Sequence, residues 1–243
     1  MATDLDGTLL RSDGTVSDRT RAGLEAAWAA GIETVFVTAR PPRWLDDLVE
    51  HVGQHGIVIC GNGAFVYDVA AREVIIERGF SDANVAELVA DLKTTIPGIT
   101  FAAERADGMG RELDEPAQHP VGKLLAWSKQ VEATEFHRTV AEVIGHRAEL
   151  GFSGMVGLAE MTAPGVTKAA GLAAWCDERG IGPAEVVACG DMPNDLPMLR
   201  WVGHAVAVAN AHADVLDAAH EIVPSNDDDG VATVLERLAD LAR

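Results

Sequence analysis

The sequence has few aromatic residues, few cysteines and no long apolar run. Aromatic residues fill 5% of its 243 positions, with a single tyrosine, whereas alanine, valine, leucine and glycine are abundant. This composition favours α/β layers over an aromatic-rich β-sandwich. The three cysteines, Cys60, Cys176 and Cys189, show no CxxC spacing, so we expect buried free thiols in a reducing compartment.

No apolar stretch approaches the roughly 18 residues of a membrane span. The first residues also lack the basic segment and following apolar run of a signal peptide. We therefore expect a cytoplasmic protein.

Positive charge is scarce as well. Only 19 lysines and arginines accompany 38 aspartates and glutamates, which gives a net charge of −19. Because nucleic acids and anionic membranes are polyanions, we expect this chain to bind neither. Any phosphate site in so acidic a chain must be locally positive, through a metal ion, lysine or arginine side chains, and backbone amides.

Strands alternate with helices in residues 1–79 and again in 162–243. The pattern predicts a first helix at Ser17–Ala30, a second at Trp44–Val52, and a hairpin turn at Asn62–Gly63. Such alternation is typical of a doubly wound parallel sheet.

The middle of the chain has a different order of elements. Residues 80–161 read as helix, strand, strand, helix, strand, strand, with a polar loop at Glu104–Pro120. This αββαββ order does not continue a parallel sheet. It predicts an inserted α+β domain with an antiparallel sheet.

Four polar segments each come just after a predicted strand. They are Asp4–Thr8 (DLDGT), Thr38 after a strand, Lys168 at a helix start, and Gly190–Asp195 (GDMPND) after another strand. Each is weak evidence alone, because acidic turns, helix caps and surface lysines are common. Ligands of open α/β sheets bind outside the carboxyl ends of the strands, so their shared placement indicates one site.

Together, these four segments resemble the motifs of the haloacid dehalogenase-like superfamily of phosphatases, in the same order. Asn62-Gly63-Ala64 before Phe65–Asp68, and Ala207–Ala211 near the end, resemble its Cof-type branch. The resemblance implies a Rossmann-like, doubly wound core formed by residues 1–79 and 162–243. It also implies that residues 80–161 form an inserted cap domain.

The resemblance assigns roles to individual residues. Asp4 would be the nucleophile that forms an aspartyl-phosphate, and Asp6 would protonate the leaving alcohol and then activate water. Mg²⁺ would be held by Asp4, the backbone carbonyl of Asp6 and Asp191, with Asp195 orienting a metal-bound water. The phosphate oxygens would be bound by the amides of Leu5 and Ala39 and the side chains of Thr38, Lys168 and Asn194.

The sequence departs from the family pattern in three places. Ala39 and Ala169 replace the glycines that usually follow the threonine and the lysine. Alanine keeps the backbone amide but resists positive φ angles. In addition, only three residues precede Asp4, so either the given start is late or the strand that carries Asp4 is a stub.

The expected substrate is a small phosphate monoester, with sugar phosphates as one class, and the expected state is a monomer or homodimer. Candidate specificity residues lie beside Thr38 and in the first loop of the cap: Arg40, Arg43, Trp44, Arg105, Met109, Arg111 and His119. A phosphomutase or phosphotransferase, or a phosphosugar sensor without turnover, would use the same fold. A receiver domain is a poorer fit, since it is about 120 residues long and lacks the insert.

Overall fold

The computed structural model describes residues 1–45, 48, 52, 56–110, 113, 118–151 and 155–242. The strands in this part of the chain are β1 (Ala2–Thr3), β2 (Val35–Val37), β3 (Ile57–Cys60), β4 (Phe65–Asp68), β5 (Glu73–Glu77), β6 (Thr100–Arg105), β7 (Gly108–Gly110), β8 (Lys123–Trp127), β9 (Glu149–Gly151), β10 (Leu158–Thr162), β11 (Val187–Gly190), β12 (His204–Val208) and β13 (Glu221–Val223).

The helices of the same ranges are α1 (Asp18–Ala29), α2 (Asp82–Thr95), α3 (Ala133–Ile144), α4 (Lys168–Asp177), α5 (Leu196–Trp201), α6 (Ala213–Ala218) and α7 (Gly230–Leu241). None of these helices combines the length and the apolar composition needed to cross a bilayer. The helix predicted over Trp44–Val52 lies largely outside the described residues. Cys60, Cys176 and Cys189 are buried free thiols, as expected.

The larger sheet has the order β13-β12-β11-β1-β2-β3-β4-β5. The six strands from β13 to β3 run parallel, and β4 and β5 extend the sheet as antiparallel strands. The hairpin between β3 and β4 turns at Asn62–Gly63, as its turn signal predicted. The doubly wound α/β fold class is confirmed, whereas strand β5 was not anticipated.

Helices cover both faces of this sheet, and the strands alternate between them. Phe36 packs in the layer that contains α1 and α7. Its neighbours Val35 and Val37 pack in the opposite layer, with α4, α5 and α6. This period of two, with apolar residues on both faces, is what a sheet buried on both sides requires.

The central strand β1 is two residues long. Ala2 and Thr3 are fully buried and pair with both β11 and β2. Backbone hydrogen bonds continue past the strand, because the Asp4 N–H donates to the Cys189 carbonyl at 3.0 Å. Two neighbouring strands therefore hold the start of the DLDGT segment.

The second sheet, which we call the cap sheet, is antiparallel with the order β7-β6-β8-β10-β9. Helices α2 and α3 pack on it around Leu88, Leu92, Phe136 and Val140. The expected inserted α+β arrangement is confirmed. Its domain boundaries at 79/80 and 161/162 stay a prediction.

The polar loop predicted over Glu104–Pro120 was partly wrong. Glu104 and Arg105 extend β6, and Gly108–Gly110 pairs with it as β7 after a turn at Ala106–Asp107. The hydrophobic pattern did not predict this hairpin, because its side chains are mostly polar or absent. A short edge strand is held by backbone hydrogen bonds, which do not require apolar residues.

A close backbone contact sets the start of α4, which carries Lys168. Thr167 caps the helix by accepting a hydrogen bond from the Ala170 N–H at 3.1 Å. Gly63 has a φ of 103°, and a Cβ atom there would clash with the carbonyl oxygen of Thr167. Glycine at this position therefore lets the hairpin turn pack against the helix cap.

We predict that Gly63→Ala destabilises the protein by about 2–4 kcal/mol, as the sum of left-handed backbone strain and a steric clash. Gly14→Ala is the matched control, because Gly14 has a φ of 82° but nothing within 4 Å of its Cβ position. The control should lose only the backbone component, about 1–2 kcal/mol. Urea denaturation of both variants measures the difference, and equal losses would show that the contact with Thr167 is unimportant.

Candidate active site

A buried lysine joins two of the predicted motifs. The Lys168 ammonium, 3% exposed, donates to Asp4 Oδ1 at 2.5 Å and to Asp195 Oδ1 at 2.7 Å. Asp4 follows the carboxyl end of β1, Lys168 begins α4, and Asp195 follows β11. The sheet edge thus brings three residues that are distant in sequence into one charged cluster.

The GDMPND segment holds its two aspartates in different ways. Asp195 is fully buried, and its Oδ2 accepts hydrogen bonds from the N–H groups of Asp191 and Met192, both at 3.1 Å. Asp191 accepts from the Thr8 hydroxyl through Oδ1 at 2.8 Å. Gly7, with a φ of 80°, faces Asp191 Oδ2, and a Cβ atom there would clash with that oxygen.

One carboxylate oxygen from each of Asp4, Asp191 and Asp195 lies within 4.8 Å of the other two, and the three residues are buried. Both oxygens of Asp195 are hydrogen-bonded to protein groups. Among the described residues, by contrast, nothing donates a hydrogen bond to Asp4 Oδ2 or Asp191 Oδ2. Buried carboxylates with such oxygens fit a divalent cation such as Mg²⁺. Asp4 and Asp191 therefore suit direct ligation, and Asp195 suits a supporting position.

Burial dominates the electrostatics of this cluster. It raises the pKa of Asp4 well above its ordinary value, and the charges of Asp195 and Asp191 add to the rise, while Lys168 opposes it. Burial likewise raises the pKa of Asp191 to about 6. Burial alone would lower the pKa of Lys168. The negative charges and hydrogen bonds of Asp195 and Asp4 have the larger effect, so the pKa of Lys168 is raised. The cluster therefore carries more negative charge than one lysine offsets.

Polar groups that can donate or accept hydrogen bonds surround the space beside Asp4. Thr38 is buried, and its Oγ1 accepts from the Arg40 N–H at 3.1 Å. Within the described chain, neither the Leu5 N–H nor the Ala39 N–H donates a hydrogen bond to another residue. Asn194 lines the same cleft, and its buried side-chain oxygen has no hydrogen-bond partner. Unpaired polar groups of this kind are typical of a ligand-binding position.

The structure pairs Asp6 with Arg40. The guanidinium donates from Nε to Asp6 Oδ2 at 2.8 Å and from Nη2 to Oδ1 at 2.5 Å. The Asp6 side chain is 57% exposed, at the mouth of the site rather than in the buried cluster. Arg40, expected among the specificity residues, thus holds a predicted catalytic carboxylate.

A cleft of about 760 Å³ opens above these residues, between the large sheet and the cap sheet. Of the expected specificity residues, Arg40, Arg43 and Trp44 line it. Met109 lies outside the lining but contacts Arg43, with 3.8 Å between its Sδ and Nη2.

The other cap candidates lie elsewhere. Arg105 is buried and does not line the cleft. His119 does not line it either, and its Nδ1 lies 2.7 Å from Glu77 Oε1, a contact that raises the His119 pKa. Arg111 is outside the described residues.

Sequence reasoning missed three buried charged residues on the cap sheet. Glu104 forms a bidentate ion pair with Arg43, at 3.0 and 2.8 Å. Lys123 donates to Glu160 and to the Ala39 carbonyl, both at 2.9 Å. The three missed residues, Glu104, Lys123 and Glu160, all line the cleft. The sequence did contain a signal for Lys123. Lys123, Leu125 and Trp127 alternate along one strand and so share a face, which places a charged residue on the same face as two apolar ones.

Comparison with known proteins identifies the family. A family model described as haloacid dehalogenase-like hydrolase matches residues 1–114 and 109–235. The chain belongs to this family. The predicted family and its Cof-type branch are confirmed.

Several relatives are similar over their full length. The 5-amino-6-(5-phospho-D-ribitylamino)uracil phosphatase YcsE of Bacillus subtilis is 27% identical over 236 residues, which cover 97% of this chain and 93% of the relative. A phosphoglycolate phosphatase of Methanoculleus marisnigri is 25% identical over 239 residues, covering 98% and 95%. A solved haloacid dehalogenase-like hydrolase from B. subtilis has the same fold, with a TM-score of 0.84, 21% identity and 98% coverage of both chains.

We predict that Lys168→Met destabilises this hydrolase by about 3–5 kcal/mol at pH 7 with EDTA present, because it leaves buried carboxylates without their cation. The loss should shrink towards pH 5. Burial already raises the folded-state pKa of Asp4 in the wild type, and removing Lys168 raises it further. As the pH falls, the variant therefore takes up its proton at higher pH than the wild type, and its free energy of unfolding recovers relative to the wild type. Urea denaturation at both pH values tests this.

Lys93→Met, which changes an exposed lysine of α2, is the control and should be nearly neutral at both pH values. A Lys168→Met loss that is independent of pH would contradict the proposed pairing with Asp4.

Proposed function

We propose that this hydrolase is a Mg²⁺-dependent phosphatase that cleaves a small phosphate monoester through an aspartyl-phosphate on Asp4. The observation that carries the proposal is the buried cluster in which Lys168 bridges Asp4 and Asp195, beside the Asp191 carboxylate. Full-length relatives named as phosphatases support the same conclusion. We propose a monomer or homodimer as its state.

In the first half of the reaction, an oxygen of Asp4 attacks phosphorus, and the bond from phosphorus to the leaving alcohol oxygen breaks. Lys168 orients Asp4, since it already donates to Oδ1, and it opposes the rise of the Asp4 pKa that burial causes. The amides of Leu5 and Ala39, with Thr38 and Asn194, bind the phosphoryl oxygens. Positioning and charge neutralisation of this kind supply most of the catalysis in phosphoryl transfer.

A divalent cation fits the cluster because the single lysine does not offset its three carboxylates. Asp4, Asp191 and the Asp6 carbonyl would hold Mg²⁺, and Asp195 would orient one of its waters. When bound, Mg²⁺ neutralises charge on the phosphate and on the carboxylates that must approach it.

Asp6 transfers the protons of both half-reactions. It protonates the leaving alcohol, then takes a proton from the water that attacks the aspartyl-phosphate, so that alcohol and inorganic phosphate are the products. In this structure both its oxygens accept hydrogen bonds from Arg40. Arg40 must therefore release Asp6 before proton transfer, and an incoming phosphate is a suitable new partner for the guanidinium.

Contacts between the two sheets favour reaction in a closed cleft. The Lys123 ammonium of the cap sheet donates to the carbonyl of Ala39, and Asn62 donates to Glu160 at 3.3 Å. Arg43 and Glu104 form a further link. These bonds hold the cap sheet over the catalytic residues, which limits access of water.

A phosphomutase or phosphotransferase, and a phosphosugar sensor, remain the rival functions. Asp4 and Asp6 are both present, whereas a sensor without turnover does not require them. Incubation with a panel of phosphate esters separates the three functions. A phosphatase releases inorganic phosphate, a mutase yields an isomeric phosphate ester, and a sensor binds without turnover.

We predict that Asp4→Asn lowers kcat for phosphate release by about 10³-fold or more, because the amide cannot form the acyl-phosphate. Asp217→Asn, which changes an exposed aspartate of α6, should leave kcat unchanged. Phosphate release from an ester identified in the panel is the measurement. Turnover that survives in Asp4→Asn would exclude Asp4 as the nucleophile.

We also predict that EDTA abolishes turnover and that added Mg²⁺ restores it. Calorimetry without substrate should show Mg²⁺ binding to the wild type and to Asp217→Asn, but binding weakened about tenfold or more in Asp191→Asn. Equal Mg²⁺ affinity in all three proteins would remove Asp191 from the metal site, and turnover in EDTA would remove the metal from the mechanism.

A further inference from the structure

The face of the cap sheet that lines the cleft is divided into a charged part and an apolar part. Along β8, the alternate residues Lys123, Leu125 and Trp127 all line the cleft. On β10, Glu160 lies opposite Leu125 and Leu158 lies opposite Trp127, and both also line it. On these two strands, the charged residues therefore occupy one end of the face and the apolar residues the other. Lys129, two residues beyond Trp127, is exposed and also lines the cleft.

The charged side chains at the charged end of this face are already paired with other protein groups. Lys123 and Glu160 bond to each other, and each also bonds to a loop of the larger sheet, at the Ala39 carbonyl and at Asn62. Glu104 accepts both of its hydrogen bonds from Arg43. Because these side chains are buried as well as paired, binding a ligand hydroxyl to them would cost an existing bond.

The apolar end is continued by exposed side chains. Met155 and Val156, which precede β10, are 58% and 79% exposed. Trp44, 50% exposed, also lines the cleft, with the guanidinium carbon of Arg43 4.7 Å from its ring centroid. Ser128 also lies here, but its hydroxyl donates to the Pro97 carbonyl at 2.7 Å. Large apolar side chains gathered around one cleft typically mark a binding surface.

We propose that this apolar end binds the leaving group of the substrate, and that the leaving group is an alcohol carrying an aromatic ring. Trp127, with Leu125 and Leu158, forms the surface on which the ring lies. Sugar hydroxyls that lie on these three side chains, rather than beside the exposed Lys129, would be buried without partners, at a cost in free energy. An aromatic ring instead gains from area burial and from contact with the indole.

This inference rests on the proposed phosphatase function, because it concerns the same cleft. Three esters of primary alcohols test it with comparable leaving-group chemistry: 2-phenylethyl phosphate, ethyl phosphate and glucose 6-phosphate. With Mg²⁺ present, kcat/KM for the phenylethyl ester should exceed those of the other two by about tenfold or more. A value for glucose 6-phosphate equal to or above that of the phenylethyl ester would overturn the inference.

Variants test the surface itself. Trp127→Ala should lower kcat/KM for the phenylethyl ester by about tenfold while changing that of ethyl phosphate by less than about threefold. Trp127→Phe should retain most of the preference. Trp28→Ala removes a tryptophan that is 57% exposed outside this cleft and should change neither value. Equal losses on both esters in Trp127→Ala would overturn the inference; should that variant fail to fold, the wild-type comparison of esters still decides.

Failure of the proposed phosphatase function would give a different result from failure of the proposed aromatic surface. If none of the three esters releases phosphate, the proposed phosphatase activity fails for these esters. The apolar surface is then judged by calorimetric binding of 2-phenylethyl phosphate and glucose 6-phosphate to the wild type. Tighter binding of the aromatic ester supports the surface, and equal or weaker binding overturns it.

Discussion

The candidate site depends on one buried ammonium group. Lys168 lies between Asp4 and Asp195, and its two short hydrogen bonds tie the start of α4 to the ends of β1 and β11. Removing these charges from water is costly, so the pairs persist only because geometry and hydrogen bonding are nearly complete. The carboxylates of Asp4 and Asp191 could hold a cation there, and the proposed phosphate chemistry requires one to offset their charge.

The fold supports this cluster by close backbone packing. Gly7 leaves room for the Asp191 carboxylate, and Gly63 leaves room for the cap of α4. Even β1, with two residues, is held by hydrogen bonds to strands on both sides. Rigid placement matters here because phosphoryl transfer depends on orientation to a fraction of an ångström.

The cap sheet adds a second set of interactions, and these decide what the cleft can accept. Its buried charges bind loops of the larger sheet, whereas its apolar residues face the open part of the cleft. Closure and recognition therefore use different ends of one strand face. Alternation puts Lys123, Leu125 and Trp127 on one face, and their order along β8 separates the charged end from the apolar end.

Local patterns in the sequence were sufficient for the fold class, most element positions and the four motif segments, because caps, turns and hydrophobic periods act over a few residues. The roles assigned to the individual motif residues stay predictions. The tertiary structure alone decided which charges meet. Arg43 pairs with Glu104 across 61 positions, and Asn62 pairs with Glu160 across 98. The tertiary structure also placed Arg40 on Asp6 and left Arg105 and His119 outside the cleft. Such long-range pairing depends on how the two sheets pack, and no local sequence pattern encodes that packing.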